Sequence, residues 1–330
     1  MSAPLLEVRD LFVEFHTRDG VARVINGVSY HVNAGETLAV LGESGSGKSV
    51  TAQAIMGILD MPPARIPSGQ ILYNGRDLLT LPDAERRSIR GKEIAMIFQD
   101  ALSSLNPVFP VGWQIGETLR TQEGLSRADA RNRAIALMER VKIPAARARV
   151  DDYPHQFSGG MRQRVMIAMA LARHPKVLIA DEPTTALDVT VQAQIMDLLA
   201  ELRRETGMAV ILITHDLGVV AGVADRIAVM YAGRIVEHAD VHALYRAPAH
   251  PYTRALLDSI PREKAGAEDL RTIKGLPPNL LRIPPGCAFH PRCWLAQLPR
   301  CAAEVPPQHD LGGGRTSACH FAEDVVSGRV

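Results

Sequence analysis

The sequence predicts an α/β protein built on a parallel sheet, with a phosphate-binding loop at the carboxyl edge of that sheet. Three observations lead to this fold class. Apolar runs of strand length alternate with stretches of helical periodicity. Polar residues follow directly after several of these runs, where open α/β sheets bind their ligands. The segment Gly42–Ser49 fits the pattern G-x-x-x-x-G-K-[ST] between a predicted strand, Thr37–Leu41, and a predicted helix, Val50–Met56.

The residue types of this loop suit the binding of a nucleotide. Glycines let consecutive backbone N–H groups turn inward as an anion site, and the start of the helix adds the positive end of its dipole. Lys48 is expected to face the β- and γ-phosphates, and the Ser49 hydroxyl is expected to bind Mg²⁺. A Gly/Ser-rich turn can match the pattern by chance, but the strand before it and the helix after it favour a nucleotide site. The predicted nucleotide contacts are Gly42, Ser44, Gly45, Ser46, Gly47, Lys48, Ser49 and Val50.

Length and charge limit the classes of function. The chain has 330 residues, with 37 basic and 36 acidic side chains, so its charge gives no reason to expect nucleic acid as a partner. The first residues have neither the basic nor the apolar region of a secretory signal. No apolar run approaches the roughly 18 residues of a spanning helix. We therefore expect a soluble, intracellular chain whose membrane role, if any, comes through partners.

The first strands are expected to form a small antiparallel sheet beside the nucleotide site. Leu6–Phe15 and Val21–Val32 alternate apolar and polar residues on either side of an Asp19-Gly20 turn. Phe15, just before that turn, is a candidate for stacking on adenine. An ordinary aromatic residue in a strand core would have the same pattern.

Later segments predict an inserted helical subdomain and three strands that end on polar side chains. The chain becomes helical and rich in arginine over about residues 103–173. The three strands are Glu93–Phe98 before Gln99, Val177–Ala180 before Asp181 and Glu182, and Met208–Thr214 before His215.

Each of these polar residues has a chemical role available beside a bound nucleotide. Asp181 suits a ligand to Mg²⁺ or its waters, and Glu182 suits a general base for the attacking water. His215 is expected to hold the γ-phosphate, and Gln99 to position the metal and the water. A single polar residue at a strand end can simply face solvent, but four of them with a phosphate loop favour an active site.

The segment Phe157-Ser158-Gly159-Gly160-Met161, followed by a predicted helix, completes a set of motifs that closely resembles the ATP-binding cassette (ABC) ATPases. The motifs are, in chain order, Gly42–Ser49, Gln99, the signature Phe157–Met161, Val177–Glu182, the D-loop Ala186-Leu187-Asp188 and His215. The resemblance implies a P-loop ATPase that hydrolyses ATP as a head-to-tail dimer.

In such a dimer the signature residues Ser158, Gly159, Gly160 and Met161 would face the ATP of the partner. The exposed amides of a helix N-terminus suit that use. The usual family signature is Leu-Ser-Gly-Gly-Gln, so Phe157 and Met161 depart from it. Met161 cannot make the hydrogen bonds of the glutamine, whereas Ser158 and the amide donors remain.

A further segment indicates which subfamily of ABC ATPases the chain resembles. Ala249–Leu257 looks like the His-Pro-Tyr-Thr segment that opens the C-terminal extension of oligopeptide and dipeptide importer ATPases, and Ile97–Pro107 is similar to that subfamily too. The chain most resembles the first ATPase subunit of a bacterial dipeptide importer. This resemblance implies ATP-driven peptide uptake at the cytoplasmic face of the bacterial inner membrane. The implied partners are a homologous second ATPase, two membrane permeases and, indirectly, a peptide-binding protein, with no nucleic acid.

Three alternatives stay open. The cargo of such an importer can be another small solute, such as a nickel chelate or haem. A non-transport cassette ATPase acting on DNA or ribosomes is a second alternative, although only 108 residues separate Ser49 from Ser158, too few for a coiled-coil arm. An iron–sulfur scaffold protein with a vestigial nucleotide site is the third, and the intact Lys48, Glu182 and His215 argue against it.

All four cysteines lie in the last part of the chain, at Cys287, Cys293, Cys301 and Cys319. A reducing cytosol argues against disulfides, and four thiolates suit Zn²⁺ or an iron–sulfur cluster. The C-x₂₋₄-C pairs of zinc sites are absent, and unligated thiols are the third alternative. The resemblance implies a [4Fe–4S] cluster.

We thus expect two domains, an ABC ATPase domain at 1–247 and an irregular, metal-binding C-terminal extension at 248–330. Because the phosphate loop is distant along the chain, ATP binding by the isolated subunit is expected to survive the replacement of Cys301 with Ser.

Overall fold

The computed structural model describes residues 3–185, 187–260 and 273–329. The strands are β1 (Leu6–Thr17), β2 (Gly20–Val32), β3 (Thr37–Leu41), β4 (Ala64–Tyr73), β5 (Arg76–Asp77), β6 (Ile94–Ile97), β7 (Val177–Asp181), β8 (Ala209–Thr214), β9 (Arg226–Tyr231), β10 (Arg234–Asp240), β11 (His309–Asp310) and β12 (Thr316–Ser317). The helices are α1 (Lys48–Met56), α2 (Asp83–Ile89), α3 (Ala101–Ser104), α4 (Val111–Glu123), α5 (Arg127–Arg140), α6 (Ala146–Arg149), α7 (Gly159–Leu171), α8 (Val189–Thr206), α9 (Leu217–Val220), α10 (Val241–Arg246), α11 (Pro251–Asp258), α12 (Arg300–Ala303) and α13 (Ala322–Ser327).

The chain forms two compact units. The first unit comprises the residues up to Asn33, then Thr37–Thr80, and all residues from Ile213 onward. It contains the phosphate loop, His215 and the cysteines. The second unit comprises Ala34–Glu36 and Leu81–Leu212. It contains Gln99, the acidic strand, the signature and the D-loop, of which Ala186 lies outside the described residues. The domain boundary after residue 247 stays a prediction.

The first unit contains the antiparallel sheet that the sequence predicted, with strand order β2-β1-β4-β5. Its β4 begins at Ala64, well before the apolar run from Ile71, because it pairs with β1 as far as Phe15. An Asn74-Gly75 turn joins β4 to β5. Both residues have positive φ, 48° and 76°, as the mirror-image turns of tight hairpins require.

The second sheet of this unit carries the phosphate loop. β3 is buried along its whole length and pairs in parallel with β9, which pairs antiparallel with β10. The C-terminal extension continues this sheet, because β12 pairs with β10 and β11 pairs with β12. A fully buried carboxylate, Glu237 in β10, helps to hold the extension in place. It accepts hydrogen bonds from the backbone N–H groups of Ala249 and His250 and from the Arg315 guanidinium.

The second unit contains a parallel strand pair and a group of helices. β6 and β7 pair in parallel, and all four residues of β6 are buried. The helices α4, α5 and α7 pack on one another within the range predicted to be helical. The long α8 buries one apolar face and ends at Gly207, whose φ of 66° makes the left-handed cap expected of glycine there. The inward-facing side chains of α8 are Ile195, Met196, Leu198, Leu199 and Leu202.

Candidate functional site

The phosphate loop joins the end of β3 to the start of α1, as the sequence predicted. The Lys48 side chain is buried and lies back over the loop, where its Nζ donates to the carbonyl oxygens of Gly42 at 2.7 Å and Glu43 at 2.9 Å. Ser49 and Val50 follow in the first turn of α1. An ammonium held over a loop of backbone N–H groups at a helix start is the arrangement that binds a polyphosphate.

Two glycines of the loop have no room for a side chain. A Cβ on Gly42 would lie 2.2 Å from the carbonyl oxygen of Met230 in β9. A Cβ on Gly47, which has φ +105°, would lie 2.8 Å from the carbonyl oxygen of Val24 and 2.7 Å from Cδ1 of Ile25. The loop is therefore fixed by close packing against β2 and β9.

In the second unit, the side chain of Glu182, the predicted base, contacts that of Gln99, another predicted site residue. The Gln99 side-chain amide donates to Oε2 of Glu182 at 2.9 Å, and the Thr185 hydroxyl donates to the same oxygen at 2.9 Å. Glu182 has φ +46°, a left-handed conformation that is strained for a non-glycine residue. Asp181 is the last residue of β7 and is buried. Two donors on one oxygen orient the Glu182 carboxylate.

Two further candidates lie in the first unit. His215 directly follows β8, with its side chain exposed. Phe15 is half-buried within β1, paired with both β2 and β4. It thus lies inside the strand, because β1 extends two residues further than the sequence indicated. Whether Phe15 stacks on adenine stays a prediction.

The signature segment forms the N-terminus of α7, next to the start of α8. Ser158 is the N-cap of α7, and its Oγ accepts from the Met161 N–H at 3.3 Å. Asp188 of the D-loop caps α8 in the same way, accepting from the Val191 N–H at 2.9 Å. A Cβ on Gly160 would lie 2.5 Å from Val191, so the two helix starts are in close contact.

The two departures from the usual signature have different structural meanings. Phe157 is buried, with the Arg149 guanidinium 5.9 Å from its ring centroid, so this position of the motif holds an apolar core residue. Met161 contributes its backbone N–H to the cap but no side-chain hydrogen bond donor. Of the two departures, only Met161, which is half-buried, therefore changes the hydrogen-bonding groups of the motif.

Two residues outside the phosphate loop, Arg292 and Tyr252, contact it, and the sequence analysis predicted neither contact. Arg292 forms a bidentate ion pair with Glu43, the second residue of the loop, at 2.6 and 2.9 Å. Tyr252 accepts a hydrogen bond from the Glu43 N–H at 2.9 Å. Tyr252 belongs to the segment that the family resemblance marked, but nothing in its local pattern indicated this contact. The C-terminal extension therefore contacts the nucleotide loop, which the distance along the chain did not predict.

The four cysteines converge, but not as a metal-ion site. They are free thiols, and all four line one cavity of about 20 Å³ with apolar neighbours that include Phe289, Leu295 and Val325. Burial raises the pKa of Cys293 to about 12 and that of Cys319 to about 11, and it raises the pKa of Cys287 as well. In the part of the chain that the structure describes, no group of three or more His, Cys, Asp or Glu residues is placed to hold a metal ion. The metal-binding character predicted for the extension is therefore not supported.

This fold and these motifs define the class of the protein as an ABC-type ATPase. The ABC transporter family matches residues 25–185, and the C-terminal region of oligopeptide/dipeptide transporters matches residues 236–301. Among solved structures, the chain is similar to the dimeric ATP-binding cassette MJ0796 bound to ADP and phosphate. The TM-score is 0.64 and the identity 26%, covering 72% of this chain and 98% of that chain.

Curated relatives narrow the class to one family. The chain is 52% identical to the oligopeptide transport ATP-binding protein OppD of Salmonella typhimurium, covering 96% of this chain and 93% of that protein. It is 56% identical to OppD of Bacillus subtilis (86% and 80% covered) and 49% identical to the dipeptide transport ATP-binding protein DppD of Escherichia coli (97% of each). The chain belongs to the family of oligopeptide and dipeptide ABC transporter ATP-binding proteins. Among its described helices, none has the length and apolarity to cross a bilayer.

Proposed function

We propose that this chain hydrolyses ATP to drive the import of peptides across a membrane. The observation that carries the proposal is the match of residues 236–301 to the C-terminal region of oligopeptide/dipeptide transporters, joined to an ABC ATPase. The names of the curated relatives, oligopeptide and dipeptide transport ATP-binding proteins, support the same cargo class.

In this proposal the chain works at the cytoplasmic face of a bacterial inner membrane. Its partners are a homologous second ATPase and two permeases that receive peptides from a binding protein. The segment from Ala101 to Pro107, just past Gln99, is the part we assign to the permease contact.

The proposed chemistry divides among the motifs. Lys48 and the loop amides bind the phosphates, and Ser49, Gln99 and Asp181 would hold Mg²⁺, which neutralises charge on the phosphates when bound. Glu182 takes a proton from the attacking water as general base. The two hydrogen bonds to its Oε2 support this role, because they fix the carboxylate in one orientation. His215 contacts the γ-phosphate.

The signature acts across the dimer in this proposal. Ser158, Gly159, Gly160 and Met161 present a helix N-terminus to the ATP held by the partner, and Asp188 lies beside it. The side-chain cap of α7 supports this assignment, because it keeps the first turn regular and its first amides parallel.

An uptake assay tests the function. Cells that lack this chain should lose uptake of a radiolabelled dipeptide or tripeptide, and the wild-type gene should restore it. Lys48→Ala, expressed to the same level, should not restore uptake. Normal peptide uptake without the chain, or loss of uptake only for a metal chelate or haem, would contradict the peptide assignment.

We further propose that the four cysteines bind a [4Fe–4S] cluster. A single ion needs all its ligands at about 2.3 Å from one point, whereas a cluster offers a separate iron atom to each thiolate. The shared apolar cavity supports a thiolate-bound cluster, and no acidic side chain is among the described residues that line it. Because the buried thiols hold their protons, assembly would have to release protons and widen the cavity.

Anaerobic purification tests the cluster. The protein should be brown, with iron and acid-labile sulfide near four each per chain, and should bleach on reduction. Zinc would give a colourless protein with about one metal and no sulfide. Cys301→Ser should lower the iron content, and it should make the chain beyond about Leu276 sensitive to protease. A colourless, metal-free wild-type protein would contradict the proposal.

A further inference from the structure

The C-terminal extension holds the second residue of the phosphate loop by both its side chain and its backbone. Arg292 donates from Nη1 and Nη2 to the two carboxylate oxygens of Glu43. The guanidinium also donates from Nε to the carbonyl oxygen of Lys274 at 3.1 Å and from Nη1 to the Tyr231 hydroxyl at 3.4 Å. All three nitrogens of this side chain, which is only 7% exposed, are therefore engaged. The hydrogen bonds to Glu43 raise the pKa of Arg292, so its charge is permanent.

The backbone contact fixes the orientation of one peptide plane. The Glu43 N–H donates to Tyr252 Oη at 2.9 Å. In a trans peptide the N–H and the preceding C=O point in opposite directions. Holding the Glu43 N–H on Tyr252 therefore turns the Gly42 carbonyl to the other side, where it accepts from Lys48 Nζ at 2.7 Å. The Glu43 carbonyl accepts from the same ammonium.

Tyr252 is itself rigid. It is fully buried, and its ring packs on Tyr231 and Phe289 with centroids 4.7 and 5.3 Å away. Burial raises the pKa of Tyr252, so the hydroxyl stays protonated and neutral. Phe289 lies between Cys287 and Cys293 in the chain and lines the cysteine cavity, and Arg292 directly precedes Cys293. Arg292 therefore belongs to the cysteine-bearing segment, and Tyr252 packs on that segment through Phe289.

We propose that Arg292 and Tyr252 are positioning residues for Lys48, so that the C-terminal extension forms part of the nucleotide site. They act through Glu43, because the carbonyl oxygens of Gly42 and Glu43 both accept hydrogen bonds from the Lys48 ammonium and so fix its position. The proposal rests on the proposed function only in requiring that the loop binds ATP, and it does not depend on the cargo. A loop held from outside the cassette makes ATP affinity a property of the whole chain.

Titration of the purified full-length chain with ATP tests the proposal. Tyr252→Phe keeps the ring and removes the acceptor, and we expect ATP affinity to fall about tenfold, the scale of one hydrogen bond. Arg292→Met should lower it about 10- to 100-fold, because the lost bonds are charge-assisted, and Arg292→Lys should recover part of the loss. Arg9→Met is the control for the loss of an arginine charge and its glutamate partner elsewhere in the chain. It breaks an exposed, single-contact Arg–Glu pair, with Glu7 at 2.8 Å, away from the loop, and should leave affinity unchanged.

A double variant and an unfolding measurement separate positioning from general stability. Glu43→Met with Arg292→Met removes both charges, so the pair should bind ATP better than Arg292→Met alone. Thermal unfolding without nucleotide reports any loss of stability on its own. Wild-type affinity in Tyr252→Phe and Arg292→Met, or an equal loss in Arg9→Met, would overturn the proposal. If Arg292→Met does not fold, Tyr252→Phe decides alone.

The two proposals fail in different ways. Lys48→Ala should abolish ATP binding in the same assay, which establishes the loop as the site measured. A chain that binds ATP but supports no peptide uptake would overturn the proposed function and leave this test intact. If peptide uptake depends on the chain but the Tyr252 and Arg292 variants bind ATP as the wild type does, the positioning proposal is overturned and the proposed function stands.

Discussion

Replacing Gly47 with alanine is expected to destabilise the phosphate loop, because the position is constrained in two ways. Its φ of +105° costs an L-residue roughly 1–2 kcal/mol. The new Cβ would also lie 2.7–2.9 Å from Ile25 Cδ1, the Val24 carbonyl oxygen and Met230 Cε, contacts too short to keep. Overpacking of this kind costs about 1–3 kcal/mol. Gly47→Ala should therefore lower the free energy of unfolding by roughly 2–5 kcal/mol.

Gly45→Ala is the matched control within the same loop. Gly45 also has positive φ, +79°, but a Cβ there would meet nothing within 4 Å. It should cost only the conformational part, about 1–2 kcal/mol. Urea unfolding without nucleotide measures both variants, and an unchanged m-value would tie the difference to stability. Equal losses in the two variants would refute the packing argument and leave backbone conformation as the whole cause.

The remaining predictions concern turnover, the dimer and pH. Glu182→Gln should lower phosphate release by about a hundredfold or more while ATP still binds, and wild-type turnover would reject Glu182 as base. Ser158→Arg should spare the ATP affinity of the isolated chain but impair hydrolysis in the assembled transporter, whereas a lower affinity in isolation would argue against action across a dimer. Burial lowers the pKa of His250 to about 3, from 6.5, so the unfolded chain binds a proton that the folded chain excludes. Stability should therefore fall as the pH drops from about 6.5 towards 3, by up to about 1.4 kcal/mol per unit, and His250→Asn should flatten that slope in urea unfolding at several pH values.

The local motifs of the site could be predicted because their geometry is set by neighbouring residues. The phosphate loop is one turn between a strand and a helix, and Lys48 bonds to carbonyls only five and six residues away. The Ser158 and Asp188 caps likewise use backbone groups three residues on. Patterns of this length can be recognised in a sequence, because the residues that form each contact are close together in the chain.

The contacts that the sequence could not predict join distant parts of the chain. Arg292 and Glu43 are 249 residues apart, and nothing in either local pattern selects the other as a partner. Chain distance suggested instead that ATP binding would survive Cys301→Ser, which stays a prediction. The burial of Phe157 is of the same kind, since only the tertiary packing tells whether a signature residue faces the core. The cysteine spacing indicated four thiols with a shared purpose, and the fold does gather them, but without the geometry of an ion site among the described residues.

The strands added by the C-terminal extension have a consequence for solubility. A long sheet edge offers unpaired N–H and C=O groups that can recruit another chain and start aggregation. Here β12 pairs with Glu237 and His238 of β10, β11 pairs with β12, and the resulting sheet edge is only two residues long and carries a charge at Asp310. A cassette cut after residue 247 would lack this pairing and would leave β10 at the edge of the sheet. We therefore expect the truncated ATPase domain to aggregate when expressed alone, however intact its nucleotide motifs are.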